Sequence, residues 1–251
     1  MKKKIGLVGF GKIGKYIYSQ LANEYEFTFI YDQSIPKDAG IDNLFINSLG
    51  QLEAKLADTD MVIECAVASL LKVVAPLVLV KTNLMPFSIT AFADKDFEIK
   101  VKGLLCDYKH KLYIPHGAIL GLDGMFDAKT IIEKVKITTI KSPASLGLMN
   151  KEIEIVYDGS TREACAIFPR NVNVHAAIAM TTIGFDNTHS VIVSDPNAEG
   201  NIHNIEIIAN GCSFNIRVLS LSNGGVTGLY TPISAVASIR RAVADFGMCI
   251  A

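Results

Sequence analysis

The stretch from Lys4 to Asp32 constrains the fold of this chain more than any other part of it. It opens with a short apolar run, residues 5–8, that is typical of a buried parallel strand. Three glycines follow in the order G-x-G-x-x-G, and the next apolar residues recur at the three- to four-residue spacing of an amphipathic helix. A second apolar run ends on Asp32, 18 positions after the last glycine (32 − 14 = 18). This order predicts a strand–helix–strand unit.

The glycines and the helix start suit a bound dinucleotide. Gly9 allows a tight turn, Gly11 leaves the backbone open to a pyrophosphate, and Gly14 lets the helix pack closely on the sheet. Lys12 and Ile13 begin the helix, whose free N–H groups and positive dipole end attract phosphate. A turn without a ligand is the alternative interpretation. The dinucleotide interpretation is favoured because strand, glycines, helix, second strand and acid occur in the required order.

Asp32 bears on the choice of dinucleotide. A carboxylate at the end of the second strand can accept hydrogen bonds from both ribose hydroxyls, and it would repel the 2′-phosphate of NADP. Gln33 and Ser34 offer no arginine for such a phosphate, and Lys37 is the only nearby cation. The sequence therefore favours NAD, with NADP possible.

Length and composition exclude several classes of protein. A chain of 251 residues can bury a proper core, as one large domain or two modest ones. A net charge of −1 without large charged blocks argues against nucleic-acid and membrane-surface binding. The N-terminal lysines precede no signal-peptide core, and the longest apolar stretch, residues 73–80, is too short to span a bilayer. Five scattered cysteines without a C-x-x-C pair are typical of a reducing compartment, so we expect a cytoplasmic protein.

Strand and helix patterns continue to alternate after Asp32. The apolar run 61–66 predicts another parallel strand, and Ala66 and Ser69 fall at its carboxyl end, where open α/β sheets bind ligands. A strand end and a helix cap are the alternative interpretation of these two residues. Further strands are predicted within 84–91 and 103–114.

The pattern changes from Lys134 onward, where long runs alternate with period 2, as in a half-solvated antiparallel sheet. Helices are predicted over four segments: 117–128, 161–168, 172–182 and 232–246. We therefore predict an α/β protein with an N-terminal Rossmann-type parallel-sheet domain and an α+β second domain with a largely antiparallel sheet. The first domain comprises residues 1–110 and a C-terminal helix at about 231–251, and the substrate and dimerisation domain comprises 111–230.

A second polar cluster lies between Phe168 and His175. Asn171 is a natural helix cap, and the amide of Asn173, in the first turn, is well placed to hold the carboxamide of nicotinamide or a substrate. A turn-forming asparagine pair is the alternative. His203 lies at a loop edge before an alternating strand, where it is a candidate acid/base, although an isolated histidine is usually structural. The histidine and cysteine spacings match no metal-binding pattern, so we expect no bound metal.

Seven segments occur in order between residue 5 and about residue 207: GFGKIG, IECA, SITAFAD, YIPHGAILGLDG, ITTIKSPASL, DGSTREACAIFPRNVNV and VSDPNAEGNIHNIEI. Together they resemble the L-aspartate dehydrogenase family, which oxidatively deaminates aspartate with NAD(P). The resemblance implies a two-domain homodimer that takes a small amino-acid substrate. It also implies a catalytic role for His203 and contacts with NAD for Ala118 and Asn173.

The chain departs from the family pattern at several positions. His116 stands where the family usually has a small residue, and His175 stands where it usually has alanine. Before the last helix, residues 227–232 differ from the N-P-K-T-S motif that is common in the family. We therefore predict that His116 and His175, together with Asn171, shape the substrate pocket; packing or solvent exposure is the alternative for the two histidines. The substrate stays open between aspartate and another small amino or imino acid, and a non-catalytic NAD-binding sensor is a third possibility.

Overall fold

The computed structural model describes residues 2–34, 40–221 and 228–244. Lys37, Thr227 and the end of the predicted last helix lie outside these residues. The chain forms two compact units. One contains the described residues up to Ala91, Lys95–Pro115 and those from Ala235 onward, and the other contains Phe92–Asp94 and the described residues from His116 to Ser234. Within the described ranges, no helix combines the length and the apolar character that crossing a membrane requires.

The first unit is built on a five-stranded parallel sheet of order β3-β2-β1-β4-β5. Its strands are β1 (Lys4–Val8), β2 (Glu26–Tyr31), β3 (Phe45–Ile46), β4 (Met61–Glu64) and β5 (Asn83–Pro86). Its helices are α1 (Lys12–Leu21), α2 (Leu49–Leu56), α3 (Ala68–Leu79) and α4 (Lys95–Tyr108). The central strands are almost continuously apolar because helices cover both faces of a parallel sheet.

The last described helix returns to this first sheet. It spans Tyr230–Val243, and its residues Ala235, Val236 and Ile239 belong to the same buried core cluster as Ile5 of β1. The first unit is therefore built from both ends of the chain.

The second unit contains a five-stranded mixed sheet of order β10-β9-β6-β8-β7, in which only the β6–β8 pair is parallel. Its strands are β6 (Ile132–Lys141), β7 (Glu154–Ser160), β8 (His189–Ser194), β9 (Gly200–Ala209) and β10 (Cys212–Leu221). Its helices are α5 (Leu122–Asp127), α6 (Pro143–Leu146), α7 (Thr161–Ile167) and α8 (Asn173–Thr181), and the remaining helix, Tyr230–Val243, is α9. The predicted fold class, a Rossmann-type parallel sheet followed by a largely antiparallel one, is confirmed.

The two central strands β6 and β9 of the second sheet alternate between a buried and a more exposed face over most of their length, as period-2 alternation predicts. Thr139 of β6 lies directly opposite His203 of β9 in the register, and both side chains are buried. Lys141, two residues after Thr139, lies on the same face and is also buried. Three polar side chains therefore share the buried face of two adjacent strands.

One predicted strand of the first unit is wrong. The first half of this segment, residues 103–108, belongs to α4, whose buried Phe97 and Val101 are four residues apart and form one helical face. Leu112 forms an isolated β-bridge with Leu84. The apolar run was ambiguous because a short buried helix face and a strand have similar composition.

Two further boundaries differ from those predicted. The strand predicted within 84–91 ends at Pro86, and residues Ile89–Ala93 form a 3₁₀ helix. The helix predicted from Gly117 begins at Leu122, because Gly117 and Gly121 adopt φ values of 61° and 78°, which an α-helix cannot contain. The glycine-rich stretch before α5 is therefore a turn.

Candidate functional site

The three glycines after β1 have different surroundings in the structure. Gly9 has a φ of 95°, in the left-handed region that favours glycine, and its N–H donates to the carbonyl of Tyr31 at 2.8 Å. A Cβ on Gly14 would lie 2.2 Å from the carbonyl oxygen of Gly9, so only glycine lets α1 pack this closely on the loop. A Cβ on Gly11 would meet no heavy atom within 4 Å, so the backbone there is open. The loop fits a pyrophosphate-binding turn.

Helix α1 presents its amino-terminal end at this loop. Its first backbone hydrogen bond runs from Lys15 N–H to the Gly11 carbonyl at 3.0 Å. The N–H groups of Lys12 and Ile13 therefore have no acceptor within the helix and lie at its positive dipole end. Both residues can contribute backbone donors to a phosphate.

Asp32 lies at the rim of a cleft of about 440 Å³ in the first unit. The lining residues are Gly9, Tyr31, Asp32, Gln33, Ala66, Val67, Ser69 and Leu70. The Asp32 carboxylate accepts the Phe10 N–H at 2.6 Å through Oδ2, and the Ser34 N–H at 3.0 Å through Oδ1. These bonds hold the carboxylate in place while leaving lone pairs for ribose hydroxyls. An anionic rim fits the ribose of NAD better than the phosphorylated ribose of NADP.

A buried carboxylate that the sequence analysis did not single out supports the other wall of this cleft. Glu64 is fully buried and accepts the Ala66 N–H at 2.8 Å and the Ser88 N–H and Oγ–H at 3.1 and 2.8 Å. Burial raises the pKa of the Glu64 carboxyl to about 7. The only sequence signal is an acidic residue inside an apolar strand, and its partners are not evident before the fold is known.

The second unit holds a buried cluster around His203. The Nδ1 atom of His203 lies 2.8 Å from Thr139 Oγ1, and the same oxygen lies 2.6 Å from His175 Nε2. The other ring nitrogen of His175, Nδ1, lies 2.8 Å from Ser190 Oγ. Strands β9, β6 and β8 and helix α8 each contribute one of these residues, so the cluster depends on the strand register.

Lys141 brings a positive charge to the cluster. Its Nζ donates to Asn171 Oδ1 at 3.1 Å, and burial lowers the pKa of the Lys141 ammonium to about 8. The predicted capping role of Asn171 is wrong: Val172 is the N-cap of α8 and no side chain caps that helix. The Asn171 amide instead accepts from Lys141.

Both clustered histidines are neutral at neutral pH. Burial, and secondarily the charge of Lys141, lower the pKa of His203 to about 3. Burial first, and then His203 and Lys141, hold the pKa of His175 well below its usual range. A neutral imidazole has one bare ring nitrogen that can face the proton of a bound substrate, although burial and the Lys141 charge weaken it as a base in the free protein.

The two low histidine pKa values predict a loss of stability in acid. An unfolded histidine takes up a proton below about pH 6.5, whereas the folded protein excludes it until much lower pH, so the free energy of unfolding falls as pH decreases. In His175→Phe the free energy of unfolding should therefore decrease less steeply with falling pH than in the parent, by roughly 1.4 kcal/mol per pH unit between pH 6 and pH 5.

Urea unfolding at pH 7, 6 and 5 tests this prediction. Glu64 contributes the opposite pH dependence over the same range, because its raised pKa stabilises the folded state as pH falls. The informative quantity is therefore the difference in slope between His175→Phe and the parent, in which the Glu64 contribution cancels. Equal slopes for the two proteins would show that His175 is protonated in the folded state.

Three of the predicted site residues come together in the cluster: His203, His175 and Asn171. Asn173 is the first residue of α8, and His116 and Ala118 flank Gly117 in the turn before α5. The ring of His175 has no exposed surface, so any influence on substrate choice must pass through its neighbours. In the part of the chain that the structure describes, no group of three or more His, Cys, Asp or Glu side chains is placed to hold a metal.

Sequence reasoning missed three members of the cluster: Thr139, Lys141 and Ser190. Thr139 and Lys141 belong to the alternating run that begins at Val135, and they occupy positions of the buried face. Polar residues at apolar positions of such a run are a usable signal, because a buried polar group needs a partner.

Comparisons with known proteins identify the family of this chain. A family model described as "Aspartate dehydrogenase, C-terminal" matches residues 124–242. The L-aspartate dehydrogenase of Nitrosopumilus maritimus is 32% identical over 97% of both chains, and that of Thermotoga sp. strain RQ2 is 33% identical over 94% of this chain and 95% of its own. The crystal structure of aspartate dehydrogenase from Thermotoga maritima superposes with a TM-score of 0.84 at 28% identity, covering 99% of this chain and 100% of that one. The chain belongs to the L-aspartate dehydrogenase family.

Proposed function

We propose that this protein is an NAD-dependent dehydrogenase that oxidises L-aspartate to iminoaspartate, which water converts to oxaloacetate and ammonia. The observation that carries the proposal is the buried pairing of a cation, Lys141, with a neutral imidazole, His203, in one cluster. L-Aspartate presents two carboxylates and an ammonium group. The cation suits a carboxylate, and the imidazole suits the ammonium proton.

Lys141 would bind a carboxylate of the substrate. Its ammonium is mostly protonated at neutral pH, and the Asn171 amide holds it at 3.1 Å. Because the site is buried, a charge-assisted hydrogen bond to a carboxylate is stronger there than in water. Asn171 would therefore position Lys141 rather than contact the reacting atoms.

His203 would move the protons of the reaction. It would take a proton from the substrate ammonium, because the nitrogen lone pair is needed to form the C=N bond of the imine, and it would then assist the attack of water. Burial is the main cause of the low pKa of His203, and the charge of Lys141 adds to it. A substrate carboxylate next to Lys141 would offset this second contribution and make the imidazole a better base once substrate is bound. NAD, when bound, supplies the oxidising power by accepting the hydride from Cα.

The residues that would hold NAD are those of the glycine loop and the cleft: Gly9, Gly11, Lys12, Ile13, Gly14, Asp32, Ala66 and Ser69. The open backbone at Gly11 and the fixed carboxylate of Asp32 support this assignment. Contacts of Ala118 and Asn173 with the nicotinamide are proposed from the family resemblance.

Asp32 should determine the preference between the two dinucleotides. We expect the parent protein to bind NADH at least about tenfold more tightly than NADPH, a difference of roughly 1.4 kcal/mol. Asp32→Ala should narrow that gap, because the charge that repels a 2′-phosphate is removed. Asp32→Asn is the matched control, since it removes the charge but retains an acceptor for the Phe10 N–H. Titration of nucleotide fluorescence measures the six affinities of the three proteins for NADH and NADPH, and equal affinities in the parent would contradict the assignment.

A scan of amino acids with NAD, followed by NADH absorbance and ammonia release, tests the proposed activity. Turnover of L-aspartate above all other amino acids supports it. Turnover of a different small amino acid would transfer the same chemistry to another substrate, consistent with the unusual His116 and His175. Binding of NADH without turnover of any amino acid would indicate a sensor and would reject the enzyme assignment.

The exposed face of the second sheet supports a homodimer. Ile208, Leu219 and Leu221 point to this face and are 49%, 40% and 53% exposed. Leu219 and Leu221 are two residues apart at one end of this face, and Ile208 lies toward its other end. Exposed apolar side chains on a sheet face are typical of an interface between protein chains. Light scattering at a series of concentrations should give twice the chain mass, and Leu219→Lys should lower it.

The cysteines are consistent with a reducing compartment, which supports a cytoplasmic location. The four cysteines in the described part of the chain, Cys65, Cys106, Cys165 and Cys212, are free thiols. Free thiols are retained where the cell keeps them reduced. Fractionation of the native cells, followed by detection of the protein, tests this location.

A further inference from the structure

The hydrogen-bond chain that begins at His203 continues beyond His175 to a backbone carbonyl. Ser190 Oγ, which contacts His175, lies 2.6 Å from Thr161 Oγ1, and Thr161 Oγ1 lies 3.0 Å from the carbonyl oxygen of Thr188. The Thr161 N–H donates to the same carbonyl at 2.9 Å. All five residues whose side chains form this series of hydrogen bonds are buried, with exposures of 3% or less: His203, Thr139, His175, Ser190 and Thr161.

The carbonyl determines the direction of every bond in the chain. A carbonyl oxygen only accepts, so the Thr161 hydroxyl donates to Thr188 and must itself accept from Ser190. Ser190, having given its only proton, accepts from His175 Nδ1–H. A neutral histidine that carries its proton on Nδ1 has a bare Nε2, which accepts from the Thr139 hydroxyl.

The last bond then determines the tautomer of His203. The Thr139 hydroxyl has donated its proton to His175, so it must accept from Nδ1–H of His203. The neutral imidazole of His203 is consequently left with a bare Nε2. Among the described residues, that nitrogen has no hydrogen-bond partner.

If all the hydrogen bonds of this series ran in the opposite direction, the buried pair of Thr161 Oγ1 and the Thr188 carbonyl would have no hydrogen bond between them. If Thr161 donated to Ser190, its oxygen would face the Thr188 carbonyl at 3.0 Å without a proton between them. One lost hydrogen bond inside the protein biases the two arrangements by roughly tenfold or more. The chain also cannot conduct protons away from His203, because the carbonyl at its far end has no proton to exchange. It therefore orients the imidazole.

We propose that His175 is a positioning residue: acting through Thr139, it holds His203 in the Nδ1–H tautomer, so that the bare Nε2 is the proton acceptor for the substrate ammonium. The acceptor role rests on the proposed function, whereas the tautomer does not.

The tautomer of His203 can be measured directly. Nitrogen-15 NMR of histidine-labelled protein distinguishes a protonated ring nitrogen from a bare one, and the His203 signals are identified by their absence in His203→Asn. We expect the proton on Nδ1 in the parent protein. Ser190→Ala retains both histidines but removes the acceptor of His175 Nδ1–H, so both tautomers should appear. His175→Phe leaves Thr139 free to donate to His203, so the proton should move to Nε2.

The same variants should change turnover without changing nucleotide binding. We expect kcat with aspartate to fall roughly 10- to 100-fold in His175→Phe and less in Ser190→Ala, with the affinity for NADH unchanged. Thr182→Val is the matched control. Its hydroxyl is equally buried but donates to the carbonyl of Ile178 within the same segment, so tautomer and turnover should both stay as in the parent.

Two results would overturn the proposal: a proton on Nε2 of His203 in the parent, or an unchanged Nδ1–H tautomer in His175→Phe. If the tautomer shifts as expected but the parent does not oxidise aspartate, the proposed function fails and the positioning of His203 stands. If aspartate is oxidised but the tautomer does not depend on His175 and Ser190, the positioning role is rejected and the function stands.

Discussion

Replacement of His203 by asparagine is expected to lower kcat for aspartate oxidation by roughly 10²- to 10⁴-fold, the range for loss of a general acid/base. Asparagine can still donate to Thr139 but has no basic nitrogen, so the loss reports proton transfer rather than packing. The affinity for NADH should be unchanged, because His203 is not among the residues proposed to hold the nucleotide and the glycine loop and the cleft around Asp32 are unaltered.

A histidine elsewhere in the same sheet provides the control for this prediction. His189 of β8 is exposed and lies 2.8 Å from Asp158, and His189→Asn should leave kcat unchanged. Near-parental turnover of His203→Asn, with a folded protein, would remove His203 from the mechanism.

Replacement of Lys141 by methionine should produce the second-largest effect. Loss of a charge-assisted bond to a carboxylate is worth roughly 1.5–3 kcal/mol, so kcat/KM for aspartate should fall about 10- to 150-fold, mainly through KM. Stability should be equal or higher, because an apolar side chain replaces a buried charge. Steady-state kinetics and urea unfolding of the same preparation measure both quantities.

The protonation of Lys141 adds a pH dependence. The charged ammonium binds the carboxylate, so the parent should lose affinity for aspartate as pH rises through about 8, the pKa of the buried Lys141. Lys136→Met, on the exposed face of the same strand, is the control and should retain the parental profile. An unchanged KM in Lys141→Met would show that a different residue binds the carboxylate.

The glycine loop could be predicted from sequence because its chemistry is local. Gly9, Gly11, Gly14 and Asp32 lie within one strand–helix–strand unit, and their order along the chain already determines their order in space. The alternation from Lys134 onward likewise predicted a sheet with one buried face, since side chains of a strand point to opposite faces in turn.

The cluster around His203 could not be assembled in the same way. Thr139 is 64 residues from His203 and 36 from His175, and the three meet only through the pairing of β6 with β9 and the position of α8. Register is a property of the whole sheet, and a shift of one residue would turn Thr139 and Lys141 to the exposed face. The segment around Asn171 was misjudged for the same reason, because the partner of its amide lies on a distant strand.

The central claim is that this chain oxidises L-aspartate at Cα with NAD. The most direct test incubates the purified protein with L-aspartate deuterated at Cα and NAD, and follows the label by mass spectrometry. The account predicts deuterium in the reduced nucleotide, unlabelled oxaloacetate and ammonia in equal amounts, and loss of all three signals in His203→Asn. Failure to form labelled reduced nucleotide from aspartate, by a protein that binds NADH, would contradict it.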